Sequence, residues 1–135
     1  MTRSPQTPAR CSSLRSGMTE AQLLAAVRQL GRRTGWALTY HTHDSRKSEP
    51  GWPDLVLCHP RRCRILFIEL KTETGQTTPE QDSWLIALAA CGLEVATWRP
   101  SDLDDEIPAV LTGYRRLDDP AKVRAAEPLP RARAR

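Results

Sequence analysis

No stretch of this chain comes near the roughly 18 consecutive apolar residues that a membrane-crossing helix needs, so no such span is predicted. The first 17 residues, MTRSPQTPARCSSLRSG, carry positive charge but no apolar centre, and are therefore not read as a secretory signal. They are polar and rich in Pro and Ser, which predicts a disordered extension, with Met18 an alternative start just ahead of the first helix. Internal repeats are lacking. The four cysteines (Cys11, Cys58, Cys63, Cys91) are scattered without an export signal and read as reduced thiols of a cytosolic protein. Lysine is scarce: Lys47, Lys71 and Lys122 stand against 17 arginines.

What is present is a net charge of +4 and a pI near 9.2, which favour a polyanionic partner. An arginine bias can come from GC-rich coding, so charge supports a nucleic-acid reading without proving one. At 135 residues the chain holds one domain with a sizeable core.

The order of elements follows from capping and periodicity. Thr19 and Gln22 form a capping box that starts a helix, with Leu23, Val27 and Leu30 as its buried stripe and Gly31 with Arg32 and Arg33 marking its end. Trp36 to Tyr40 reads as a strand. A polar loop then leads to two short apolar strands, in GWPDLVL and RILFIELK, separated by HPRRCR as a turn. Thr78, Pro79 and Gln81 open a second helix with Trp84, Leu85 and Leu88 on its core face and Gly92 after its end. Leu93 to Trp98 is a further strand, parallel to its predecessor through a right-handed crossover. Ser101 caps a last short helix that Pro108 bends or breaks, and a basic tail follows. The class is α/β, a mixed sheet flanked by helices.

The chemistry concentrates at one end of the predicted hairpin. In an antiparallel pair, facing residues have numbers with a constant sum, so Asp54 faces Glu69 about a centre at Arg61 and Arg62. Alternation puts Glu69 and Lys71 on one face and Ile68 and Leu70 on the other. Isolated acids at strand ends are common, but charges closing an apolar run must be paired or bind a metal. Asp54, Glu69, the Leu70 carbonyl and Glu20, in the first turn of helix one on the Leu23 and Val27 face, offer hard oxygen ligands that suit Mg²⁺ or Mn²⁺. Glu20 has an equally plain role beside the helix dipole. Lys71 would orient an attacking water or stabilise charge on a phosphate.

The set Glu20, GWPD ending at Asp54, FIELK with Glu69 and Lys71, and TPEQ with Gln81 resembles the PD-(D/E)XK nuclease superfamily. Within it the chain is most similar to small stand-alone VRR-NUC domains of the phage type, over roughly Thr19 to Leu103. That resemblance implies a restriction-endonuclease-like αβββαβ core, with residues 1–17 an extension, 18–114 the nuclease domain and 115–135 a basic tail. By the same likeness Asp54, Glu69 and Glu20 hold metal, Lys71 is the catalytic lysine and Gln81 approaches the site, a role that competes with its place in the capping box, the two alternating in time. It implies a Mg²⁺-dependent endodeoxyribonuclease in the bacterial cytoplasm, acting on branched DNA such as Holliday junctions, as a homodimer. Trp52 in GWPD is read as neutral for the site.

The loop His41, His43, Asp44, Ser45, Arg46, Lys47, Ser48 is expected to rim the site, with Arg46 and Lys47 (beside Ser45 and Ser48) contacting phosphate. The histidines match no zinc spacing. Cys58, His59 and Cys63 lack a fourth ligand for a zinc knuckle and are read instead as cysteines facing across strands. Arg61, Arg62 and Arg64 lie about four residues, roughly 13 Å, from the acids and can only extend a DNA footprint. A linear-DNA nickase or flap nuclease with the same site, a non-catalytic nucleic-acid-binding module and a zinc-stabilised adaptor remain alternatives.

Overall fold

The computed structural model describes residues 15–42 and 47–118. Arg15, in a short turn ahead of the first helix, pairs with Asp104 at 2.9 Å. Helix α1 spans Glu20–Arg33 and begins with the expected capping box. The Gln22 N–H donates to Thr19 Oγ1 at 3.1 Å, and the Thr19 N–H donates to Gln22 Oε1 at 2.9 Å. Leu23 and Val27 are fully buried, whereas Leu30 packs only at the margin of the core. Gly31 does not end the helix. It is buried within it, facing Trp36 and Leu57, and the chain reverses at Gly35, whose φ of +95° suits a residue without Cβ.

The four strands are β1 (Leu38–His41), β2 (Leu55–His59), β3 (Arg64–Leu70) and β4 (Glu94–Trp98), in the order β1-β2-β3-β4. The first three are antiparallel, and β4 runs parallel to β3 after the crossover through α2 (Pro79–Ala90). Strand β1 starts two residues later than expected because Trp36 turns inward. Its indole N–H donates to the Leu111 carbonyl at 2.9 Å. The hairpin turn is a 3-10 turn, Pro60–Arg62, closed by Cys63 at φ 52°. His59 and Arg64, expected in the turn, end β2 and begin β3, and both are buried.

One face of the sheet carries Leu55, Leu57, Leu66, Ile68 and Leu70 against α1, Trp36 and α3 (Glu106–Leu111). Each such fully buried aliphatic stabilises the fold by about 1.5–3 kcal/mol. Helix α2 covers β3 and β4 from the other side, but less tightly than its sequence suggests: Trp84, Leu85 and Leu88 are only half-buried. Ser101 is not a cap. A 3-10 segment, Pro100–Asp104, leads into α3, and Pro108 sits third in α3, where its missing N–H would have had no helical partner.

Arg64 is not available to extend a DNA footprint. Its guanidinium grips Glu94 at 2.9 and 2.6 Å, lies over the Trp36 ring and donates to the Arg115 carbonyl at 3.0 Å. Glu94 in turn accepts the Leu117 N–H at 2.9 Å, so this buried pair ties the segment after α3 to the sheet. Nor do cysteines face each other: Cys58 lies between Leu38 and Ile65, and Cys63 is exposed. No helix among the described residues is long and apolar enough to cross a membrane.

Candidate active site

The expected register is the observed one. Leu55 pairs with Ile68 and His59 with Arg64, so the next rung toward the open end sets Asp54 opposite Glu69. The ladder itself continues past β2, since the Thr42 N–H donates to the Asp54 carbonyl at 3.0 Å. One side-chain bond then fixes the acid: Asp54 Oδ2 accepts the Leu70 N–H at 2.9 Å. Asp54 is thereby tied to the strand that bears its partner.

Glu69 is only 1% exposed, yet it sits among polar groups. Its Oε1 accepts from Gln81 Nε2 at 2.8 Å and lies 3.5 Å from Lys71 Nζ. Its Oε2 is buried without any hydrogen-bond partner. Burial first, and the facing Asp54 carboxylate second, push the Glu69 carboxyl up to about 8, against the opposing pull of Lys71.

Gln81 holds both roles at once, not in alternation. Its Oε1 accepts the Thr78 N–H at 2.9 Å in the capping box while its Nε2 donates to Glu69. An amide can do this because it has an acceptor and a donor on one planar group. The start of α2 and the buried carboxylate are thus joined through a single side chain.

Two supports of this geometry were not legible as such. Trp52 is not neutral: its ring meets Phe67 and Trp84 edge-on, with centroids at 5.9 and 5.0 Å, and Trp84 Nε1 donates to the Pro50 carbonyl at 3.1 Å. Beside it Gly51, at φ +88°, packs its backbone directly on that of Glu80 and Gln81, where a Cβ would collide. The GWPD segment and the first turn of α2 are therefore one packed unit. The second support is Arg99, whose Nη1 donates to the carbonyls of Thr72, Glu73 and Gly75. It clasps the loop that follows Lys71. Only an arginine preceding a capping Asp102 hinted at it.

A cavity of about 180 Å³ adjoins Asp54, lined also by Glu20, Ala21, Leu24, His41 and Leu70. Glu20 thus faces the same space as Asp54, from an exposed position in the first turn of α1. His41, assigned to the rim loop, belongs to β1 and lines this cavity too. Lys47 is exposed and Ser48 half-buried, while His43, Asp44, Ser45 and Arg46 lie outside the described residues. His59 is engaged elsewhere, with its ring nitrogens bonded to the Thr34 carbonyl and the Arg62 N–H, so no knuckle forms with Cys58.

Among the described residues no three His, Cys, Asp or Glu side chains gather as a ligand set. Asp54 and Glu69 stand as a pair. A pair still fits a hard cation: Mg²⁺ takes one or two carboxylates and fills its remaining positions with water and substrate phosphate. The unpartnered, buried Oε2 of Glu69 is what such an ion would satisfy.

A sequence model described as the VRR-NUC domain matches residues 2–101. No curated protein and no solved structure matches the chain.

Proposed function

This chain belongs to the VRR-NUC family, which carries a nuclease-type, DNA-processing function, and from that premise we propose a Mg²⁺-dependent endodeoxyribonuclease. The observation that carries the reading is the buried Glu69, held between Asp54, Lys71 and Gln81 with one oxygen unpartnered. Asp54, Glu69 and the Leu70 carbonyl would hold the ion, with Glu20 across the cavity as a further oxygen, through water or directly. A bound divalent cation would supply Lewis-acid activation of water and of the phosphodiester. Lys71 stands beside Glu69, placed to orient the attacking water and to stabilise charge developing on phosphate. Gln81 keeps the Glu69 carboxylate turned toward the site. Lys47 and Arg46 are proposed phosphate contacts on the loop before GWPD. Mn²⁺ should replace Mg²⁺, since both take hard oxygen ligands.

The finer reading is a structure-specific enzyme of phage replication or repair, working in the host cytoplasm on branched DNA such as a four-way junction. A two-fold homodimer would bring two sites to two strands. Leu38, Tyr40 and Ile65, exposed on the sheet face that α2 leaves open, are consistent with a second copy packing there. The test is a cleavage panel of four-way junction, flap and linear duplex with Mg²⁺, Mn²⁺ or chelator. Metal-dependent cutting of the junction in preference to the others is expected. Cutting of linear duplex alone makes it a nickase, and no cutting of any substrate overturns the enzyme reading.

A further inference from the structure

The two ends of the sheet carry opposite charge. At the site end lie Glu20, Asp54, Glu69, Glu73, Asp102 and Asp104. Among the described residues Arg99 there is committed to loop carbonyls, Arg15 to Asp104 and Lys71 to Glu69, which leaves Lys47 as an exposed cation. Such an end does not by itself attract a polyanion. At the other end three segments meet: the end of α1 with Arg32 and Arg33, the β2–β3 turn with Arg61 and Arg62, and the segment after α3 with Tyr114 and Arg115.

Side-chain contacts lock these segments together. A His59 ring nitrogen meets the Thr34 carbonyl at 3.2 Å, its other ring nitrogen meets the Arg62 N–H at 3.3 Å, and Arg64 holds the Arg115 carbonyl. The Arg62 guanidinium lies directly over Gly113, where any Cβ would strike it. All five arginines are exposed, and among the described residues none of them is in an ion pair. Among the described residues the two acids at this end are already engaged, Glu94 with buried Arg64 and Asp118 with Arg116. Tyr114 is 91% exposed, a large aromatic surface open to solvent.

We propose that this basic pole is a second nucleic-acid site, which grips the phosphate backbone of the duplex arm leading away from the cleaved position. The inference rests on the nuclease reading for its choice of ligand. Glu69 and Arg64 are five residues apart on β3, about 17 Å at strand rise, which equals about five base pairs of duplex at about 3.4 Å each. A shorter arm cannot reach the pole. Affinity at low sequence preference then comes from the arginines, with Tyr114 against a sugar or an end base, while the acidic end supplies chemistry.

The test uses the full chain with Lys71→Ala to prevent turnover, and compares Arg33→Gln/Arg61→Gln/Arg115→Gln with its parent. Anisotropy is measured on duplex arms of 4 and 14 base pairs over a salt series. The parent should prefer the long arm. The triple variant should lose that preference, and its salt slope should shrink by about 0.9 for each phosphate contact removed. Binding of the 4-base-pair arm and the circular dichroism of the fold should stay as in the parent. An unchanged slope and arm preference overturn the proposal, and so does a pole that binds anionic vesicles while duplex affinity is unmoved. Failure of wild-type cleavage with the arm preference intact would instead strike only the nuclease reading.

Discussion

Gln81 Nε2 donates to Glu69 Oε1 at 2.8 Å while the same side chain caps α2. Helix start and buried carboxylate are therefore one unit, and the two functions can be separated by mutation. Gln81→Glu keeps an acceptor for the cap, because Glu is the other residue that completes such a box. It turns a donor facing Glu69 into a second carboxylate. Cleavage should fall at least tenfold with the helix start retained. Gln81→Ala should lower stability by about 1–3 kcal/mol, from the lost cap and the lost bond to a carboxylate, as read by urea unfolding.

Lys71 is mostly buried beside Glu69, yet its ammonium makes no other ion pair among the described residues. Lys71→Ala should lower kcat roughly 10²–10³-fold, the effect of removing one electrostatic donor, with KM little changed. Steady-state kinetics on a cleavable junction or duplex provide the check. A variant as active as wild type would remove Lys71 from the chemistry.

The pH dependence follows from Glu69. Its carboxyl is raised from 4.5 to about 8 in the folded protein, so between these values the fold holds a proton that the unfolded chain has released. Metal-free protein should therefore be most stable at the acid side of this window and lose stability as pH rises toward 8. A bound divalent cation displaces that proton, so Mg²⁺ should raise Tm more at pH 8 than at pH 6. Thermal unfolding with and without Mg²⁺ at both values tests the sign.

Much of this was readable in the residues. The hairpin register, and with it the meeting of Asp54 and Glu69, follows from two apolar runs about a short turn. Both capping boxes are local patterns, and locality makes them legible. What escaped was set by packing. Gly31, read with Arg32 and Arg33 as the end of its helix, lies inside the last turn against Trp36 and Leu57, and the chain reverses at Gly35, where φ is +95°. Arg64 read as a solvent-facing turn residue, since nothing local announces Glu94 across the sheet. Trp52 read as neutral because its partners, Phe67 and Trp84, come from two other elements. The dual bonding of Gln81 needed the distance to Glu69, which no single segment contains.

Arg99 gives a prediction that rests on this hidden packing. Arg99→Ala leaves three loop carbonyls without their donor and should loosen the segment after Lys71. Stability should fall by about 1–3 kcal/mol and cleavage with it. Arg99→Lys should recover only part of both, since an ammonium lacks the planar fork of a guanidinium. Urea unfolding and single-turnover cleavage, read together, check it.

The most direct measurement is anomalous diffraction from crystals grown with Mn²⁺. The predicted result is one strong peak in bonding contact with both Asp54 and Glu69, lost in Glu69→Gln. A peak elsewhere, or none between those two carboxylates at saturating Mn²⁺, would contradict a metal-dependent nuclease site in this protein.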